Sequence, residues 1–201
     1  MQNIIAFEAF KRERMRRRAD AGRAEPMSIE IDILNGEASW PIAEPLHSAV
    51  WGRHVVENKP WANVKWANAD LRVLLETPED GLACHVGIYF RTISWNGRKV
   101  HVGGIGGVAT RQVCRGRGYA TMAIEAAIHT MRANEAVRFA LLVCEPHNFA
   151  FYEARNWHPF TGEVYCEQPE GRIRFEHMAP YVFDIVRAPR LGTIDLCGLP
   201  W

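Results

Sequence analysis

The run from Leu82 to Met131, "LACHVGIYFRTISWNGRKVHVGGIGGVATRQVCRGRGYATMAIEAAIHTM", restricts the possible folds more than any other part of the chain. Two segments of strand composition flank Asn96-Gly97, a pair suited to the positive backbone torsions of a two-residue hairpin turn. Leu82–Trp95 and Lys99–Thr110 should therefore lie antiparallel. The glycines of the second strand suggest a bulge or the close approach of another group. From Gly118 the period changes: Met122, Ile124, Ala127, Ile128 and Met131 fall near one helical face, as in a helix packed on a sheet.

The flanking segments extend this layout. "SIEIDIL", Ser28 to Leu34, alternates as a half-buried strand. Trp40 to Val56 reads as one or two irregular helices broken by Pro41 and Pro45, and "NKPWANVKWANAD" as an aromatic, turn-rich connection. Asp70–Thr77 should pair with Leu82–Trp95 across the turn residues "PEDG". "VRFALLVC", Val137 to Cys144, is apolar enough for a strand buried on both faces, and "HNFAFYEARN" follows as a short helix. "EVYC", "RIRFEHM", "YVFDIVR" and the terminal "GTIDLCGLPW" add short strand candidates. The fold class is α/β, with a mixed, mostly antiparallel central sheet flanked by helices.

Length and composition set outer limits. At 201 residues, 48% apolar and 23% charged, the chain suits one globular domain, which we place at 28–201. A net charge of +1 provides no global field toward nucleic acid or an anionic membrane, so neither is an expected partner. No apolar run approaches the roughly 20 residues that span a bilayer. Cys84, Cys114, Cys144, Cys166 and Cys197 are scattered and form no C-x-x-C pair, which fits a reducing cytoplasm and no metal. Residues 1–27 read as a basic helical extension in which arginines crowd between Lys11 and Arg23 after "IIAFEAF". Three readings of it stay open: a leader upstream of an internal start at Met27, a helix packed on this or a neighbouring subunit of a homodimer, or a nucleic-acid or membrane arm.

Arg115-Gly116-Arg117-Gly118-Tyr119-Ala120 lies between a strand end and a helix start, where unpaired N–H groups and the positive end of the helix dipole favour an anion. Glycine lets a phosphate approach those groups, and the arginines add charge-assisted bonds. A tight structural turn would have the same composition. The Gly-Lys-Ser/Thr of a nucleotide P-loop is lacking, and an antiparallel hairpin upstream is wrong for a dinucleotide-binding βαβ unit.

"GGVATRQVCRGRGYATMAIEAAI" resembles the acetyl-CoA segment of the GNAT N-acetyltransferases, whose Arg/Gln-x-x-Gly-x-Gly/Ala pattern is met by Arg115, Gly118 and Ala120. "EPHNFAFYEARNW" is similar to the next motif of that superfamily, with Asn148 and Tyr152 in the usual places. Within the superfamily, the order of segments and the terminal tryptophan look most like the aminoglycoside 2′-N-acetyltransferases, including the kasugamycin-modifying branch. The resemblance implies acetyl-CoA as co-substrate and a small-molecule amine as acceptor. It implies that Val108, Ala109, Thr110, Arg115, Gly116, Arg117, Gly118, Tyr119, Ala120 and Asn148 bind the coenzyme. Tyr152 is implied as general acid, and the Trp201 carboxylate as a group that reaches the acceptor.

The base stays open. The resembling enzymes place an acid where this chain has Gly106, which leaves Glu145, His147, His85, His101 or the Trp201 carboxylate as candidates, with Asp195 as a further acidic ligand. A purely structural role stands beside each of the main ones: Glu145 as the cap of the next helix, Tyr152 and Trp201 as buried aromatics. Trp40, Trp51, Trp61 and Trp66 wall the acceptor site or pack in the core. Cys144 and Cys114 suit core residues better than acyl carriers. Two other activities remain: an acyltransferase with a longer donor or a peptide amine, and a non-catalytic acetyl-CoA-binding module.

Overall fold

A computed structural model of the chain describes residues 28–201; the basic extension expected at 1–27 lies outside the described residues. β1 (Glu30–Asn35), α1 (Gly36–Val50) and α2 (Arg53–Val56) lead into the strands β2 (Leu71–Thr77), β3 (Gly81–Trp95) and β4 (Arg98–Thr110). After them come α3 (Tyr119–Arg132), β5 (Phe139–Cys144), α4 (Phe149–Glu153), β6 (His158–Pro159), β7 (Thr161–Gln168), β8 (Gly171–Arg174), β9 (Ala179–Asp184) and β10 (Leu191–Asp195).

All ten strands form one sheet. β3 is long enough to serve two neighbours on one edge: β2 along its first half, and β10 near its end at Trp95 and Ser94. Its other edge carries β4, joined through the expected turn at Asn96 and Gly97, both with positive φ. β4 pairs with β5 in parallel, β5 with β9 antiparallel, and β10 with β7 in parallel, so the sheet is mixed but mostly antiparallel. The bulge expected in β4 is present, since Gly107 and Val108 fall where the register against β3 shifts between His85 and Gly87.

α3 buries Ala123, Ile124, Ala127, Ile128 and Met131 against one sheet face, together with Val86, Ile88 and Ile105. Ala123 takes the fully buried place expected of Met122, which is only partly covered. Gly103 explains how closely this helix docks: a Cβ there would meet the Met131 sulfur at 2.4 Å. On the opposite face α1 packs through Ala43 and Leu46 over Leu74 and Ala109.

α1 departs from the sequence expectation. It begins at Gly36, ahead of Trp40, and continues through Pro41 and Pro45 as one element to Val50. Asn35 supplies the start, its side-chain oxygen accepting from the Ala38 N–H at 3.1 Å. Both prolines lie on the exposed face, so water can reach the carbonyls they leave unbonded.

Candidate active site

β4 and β5 pair only at Gly103 with Ala140 and Gly104 with Leu141. Beyond those residues the two strands have no partnered positions with each other, and a cleft of about 1380 Å³ opens there. It runs from the tryptophan-rich connection after α1 to the first turn of α3. Trp201 fills the inner end. Its indole N–H donates to the Leu141 carbonyl at 3.1 Å, its ring stacks on Tyr89 at 5.7 Å, and the Arg91 guanidinium sits 5.0 Å from the ring. The tail is fixed by its backbone, with Ala67 N–H donating to the Pro200 carbonyl and Arg91 to that of Leu199.

The glycines of β4 make room for this residue. A Cβ on Gly104 would stand 2.3 Å from the Trp201 ring, and one on Gly106 would stand 2.7 Å from the Trp201 carboxyl carbon. The Trp201 carboxyl group thus occupies the space that a side chain at 106 would need. Trp201 is only 5% exposed, yet it lines the cleft.

The other end is built for an anion. Gly118 caps α3 with φ 82°, a left-handed conformation that favours glycine, and among the described residues the helix start has no side-chain cap bond. Where Gly116 and Gly118 lack side chains there is open space. These residues, with Arg115, Tyr119, Ala120, Val108, Thr110 and Asn148, all line the cleft. Arg117 and Ala109 do not: Arg117 pairs with Asp80 at 3.2 Å, and the Ala109 side chain is buried beneath α1. Sequence reasoning missed Arg155, which lines the same cleft. Its Nε and Nη2 donate to Thr121 Oγ1 at 2.8 and 2.6 Å, and its guanidinium covers the Phe151 ring at 3.8 Å. It stands in the turn just after α4, and its closeness in sequence to the Tyr152 motif was the available signal. An uncapped helix start, open glycines and nearby guanidinium groups fit the pyrophosphate of a coenzyme A molecule.

Between these ends, Tyr152 packs against Trp157, Phe151 and Tyr181 and is 6% exposed, but it too lines the cleft. Its hydroxyl has no hydrogen-bond partner among the described residues. Burial, with Cys144 and Cys84 nearby, pushes its pKa well above the usual 10, so the phenol keeps its proton at neutral pH. Burial also pushes the Cys144 thiol up to about 12 and raises Cys114, which makes both poor nucleophiles.

The remaining candidates separate clearly. Glu145 lines the cleft but is gripped by Lys59, whose Nζ lies 2.8 and 3.1 Å from its two oxygens; His147 lies 4.0 Å away. Lys59 carried no sequence signal. His101 is bonded to Thr92 near the start of β4, and Asp195 pairs with Arg172; neither lines the cleft. Trp40, Trp51, Trp61 and Trp66 all line it, and Trp61, 9% exposed, also packs edge-on against Trp66.

His85 is fully buried in a chain of polar contacts under the β4 bulge. Arg72 Nη1 lies 3.0 Å from His85 Nε2, while His85 Nδ1 lies 2.8 Å from the Gly107 carbonyl and 2.9 Å from His47 Nε2. A guanidinium only donates, so His85 Nε2 accepts and its proton is on Nδ1, shared between Gly107 and His47. Burial and the Arg72 charge pull His47 down to about 4; burial, His47 and Arg72 outweigh the Gly107 bond and pull His85 down to about 3. Both imidazoles are neutral at pH 7. Among the described residues no group of three or more His, Cys, Asp or Glu side chains is placed to hold a metal ion, and no helix is long and apolar enough to cross a membrane.

A split mixed sheet with an uncapped helix start and open glycines beside the split is an architecture that suits an acyltransferase. The chain belongs to the GNAT acetyltransferase family: the family model described as acetyltransferase (GNAT) domain matches residues 35–160. Solved structures share its fold. The GNAT family N-acetyltransferase YhbS from Escherichia coli, solved in complex with CoA, matches with a TM-score of 0.55 at 12% identity, covering 87% of this chain and 93% of that one. A putative N-acetyltransferase from Lactobacillus plantarum gives a TM-score of 0.56 at 17% identity over 79% and 99% of the two chains. Escherichia coli ElaA gives 0.55 at 16% identity over 78% and 100%. No curated protein sequence matches the chain. The protein is thus an acetyltransferase of the GNAT family.

Proposed function

We propose that residues 28–201 catalyse transfer of an acetyl group from acetyl-CoA to an amine of a small polar acceptor, with an aminoglycoside of the kasugamycin type as the best candidate. The observation that carries this reading is the Trp201 carboxyl carbon, 2.7 Å from where a Gly106 Cβ would stand. Gly106 replaces the acid that the resembling antibiotic enzymes place there. In this reading the Trp201 carboxylate takes the part of that acid.

In this reading the first turn of α3, with Arg115, Gly116 and Gly118, holds the pyrophosphate. Asn148 and the β4 backbone around Val108 and Thr110 align the thioester along the split. Backbone N–H groups at the bulge stabilise the oxyanion that develops on the acetyl carbonyl. An alkyl amine has a pKa near about 10 and arrives protonated at neutral pH. The Trp201 carboxylate attracts that ammonium group, which first gives one proton to water; the free amine then attacks the carbonyl carbon, and the carboxylate takes, directly or through one water, the second proton that the nitrogen sheds once it is bonded and strongly acidic. The carbon–sulfur bond breaks, and Tyr152 gives its phenolic proton to the departing thiolate. Glu145, fixed by Lys59, forms the acceptor-side wall rather than the base.

A thiol-release assay across an aminoglycoside panel that includes kasugamycin tests the assignment. Acetyl-dependent thiol release with at least one member is expected. Acetyl-CoA binding without turnover of any member would remove the acceptor class.

A further inference from the structure

The acceptor side of the cleft contains a cation that the acetyl transfer described above does not use. Arg72 is 6% exposed and lines the cleft, and it has no carboxylate partner among the described residues. Its Nε donates to the Gly36 carbonyl at 2.9 Å, one Nη1 proton goes to His85, and the Trp40 ring lies 4.7 Å from its central carbon. Three of its five N–H donors have no partner in these contacts. A buried guanidinium without a counter-ion is costly and is normally found paired. The neighbouring imidazoles cannot compensate, because both are neutral and His85 is already locked as an acceptor toward Arg72.

We propose that Arg72 anchors a carboxylate on the acceptor, so that the enzyme acetylates an amine carried by a molecule that also bears an acid group. The proposal rests on the N-acetyltransferase reading of this cleft and narrows its substrate class. The cleft floor has the matching polarity. The Trp201 carboxyl group sits against Gly106, and His47, the neighbour of Arg72's partner His85, sits against Gly107, where a Cβ would lie 3.0 Å from its ring. The Trp201 carboxylate for the substrate ammonium and the Arg72 guanidinium for its carboxylate therefore line the same cleft. The planar fork of an arginine suits a carboxylate in two-point contact, and the Trp40 ring keeps the guanidinium oriented. Among amino sugars the inference selects those that also carry a carboxylate.

The test uses matched acceptors, each amine offered as the free carboxylate and as the primary carboxamide. Wild type is expected to prefer the carboxylate by about 10-fold or more in kcat/KM, the scale on which one charge-assisted hydrogen bond acts. Arg72→Met should collapse that ratio toward one, and Arg72→Lys should retain part of it. Equal turnover of both forms by wild type, or an Arg72→Met loss that is the same for both, would overturn the proposal. A second arm needs neither turnover nor a variant: calorimetric binding of the N-acetylated product as acid and as amide to the wild-type protein with CoA. Preference for the acid supports Arg72 even if no tested amine is turned over, and equal binding counts against it.

Discussion

Tyr152 and Gly106 show how much chemistry a single position can hold. The Tyr152 ring is packed by three aromatic neighbours, so Tyr152→Phe should keep the fold and acetyl-CoA binding while removing only the hydroxyl. Steady-state thiol-release kinetics should show kcat lowered by about 10²-fold, the lower end of what a positioned acid contributes; an unchanged kcat would remove Tyr152 from the reaction. Gly106→Ala tests the other end. Its methyl would collide with the Trp201 carboxyl carbon, so the tail must shift, at a cost of roughly 1–3 kcal/mol by the usual scale of overpacking. A lowered melting temperature and reduced kcat are expected together. The place of Tyr152 in the cleft was legible because it stands inside a local motif. The sequence made Gly106 look like a missing acid, because the group that takes its space is 95 positions away in the chain and only the folded tail brings it there.

At the scale of elements, the hairpin, α3 and β5 were legible because their signals are local: a turn pair, a 3.6-residue period and a continuous apolar run. α1 was not, because a cap at Asn35 and the exposure of two prolines decide its length. The α3 start yields a prediction of its own. Gly118 holds φ 82°, so Gly118→Ala places a Cβ in a left-handed conformation that costs on the order of 1–2 kcal/mol, although the space around it is open. Realigning the first turn should raise KM for acetyl-CoA several-fold with a smaller effect on kcat; unchanged coenzyme kinetics would show that the cap does not position the pyrophosphate. The imidazole pair between α1 and β3 yields another. His47 and His85 have folded pKa values below the ordinary 6.5, so the unfolded chain binds more protons and stability falls as pH drops below about 6.5 toward 4 and 3. Each contributes up to about 1.4 kcal/mol per pH unit in that window. Melting temperatures measured from pH 7 to pH 5 should decline, and the double variant His47→Gln with His85→Gln should flatten the decline.

The whole molecule is organised around the split between β4 and β5, and what fills that split comes from the far end of the chain. β10 pairs with the end of β3, the tail then crosses to Ala67 and Arg91, and Trp201 closes between the strands. The proposed mechanism makes the position of the Trp201 carboxylate testable. Adding a single glycine after Trp201 would leave the indole, its bond to Leu141 and its stacking on Tyr89 available, but would move the carboxylate by about 3.8 Å along the chain and leave an amide against Gly106. If the terminal carboxylate accepts the amine proton, the extended protein should melt near the wild-type temperature and bind acetyl-CoA normally, yet lose kcat by about 10²-fold or more. Deleting Trp201 should look different, because removal of a buried indole costs about 3–5 kcal/mol and stability and activity would fall together. Full activity in the glycine-extended protein would assign the proton transfer elsewhere in the cleft, with the Lys59-bound Glu145 as the next carboxylate to test.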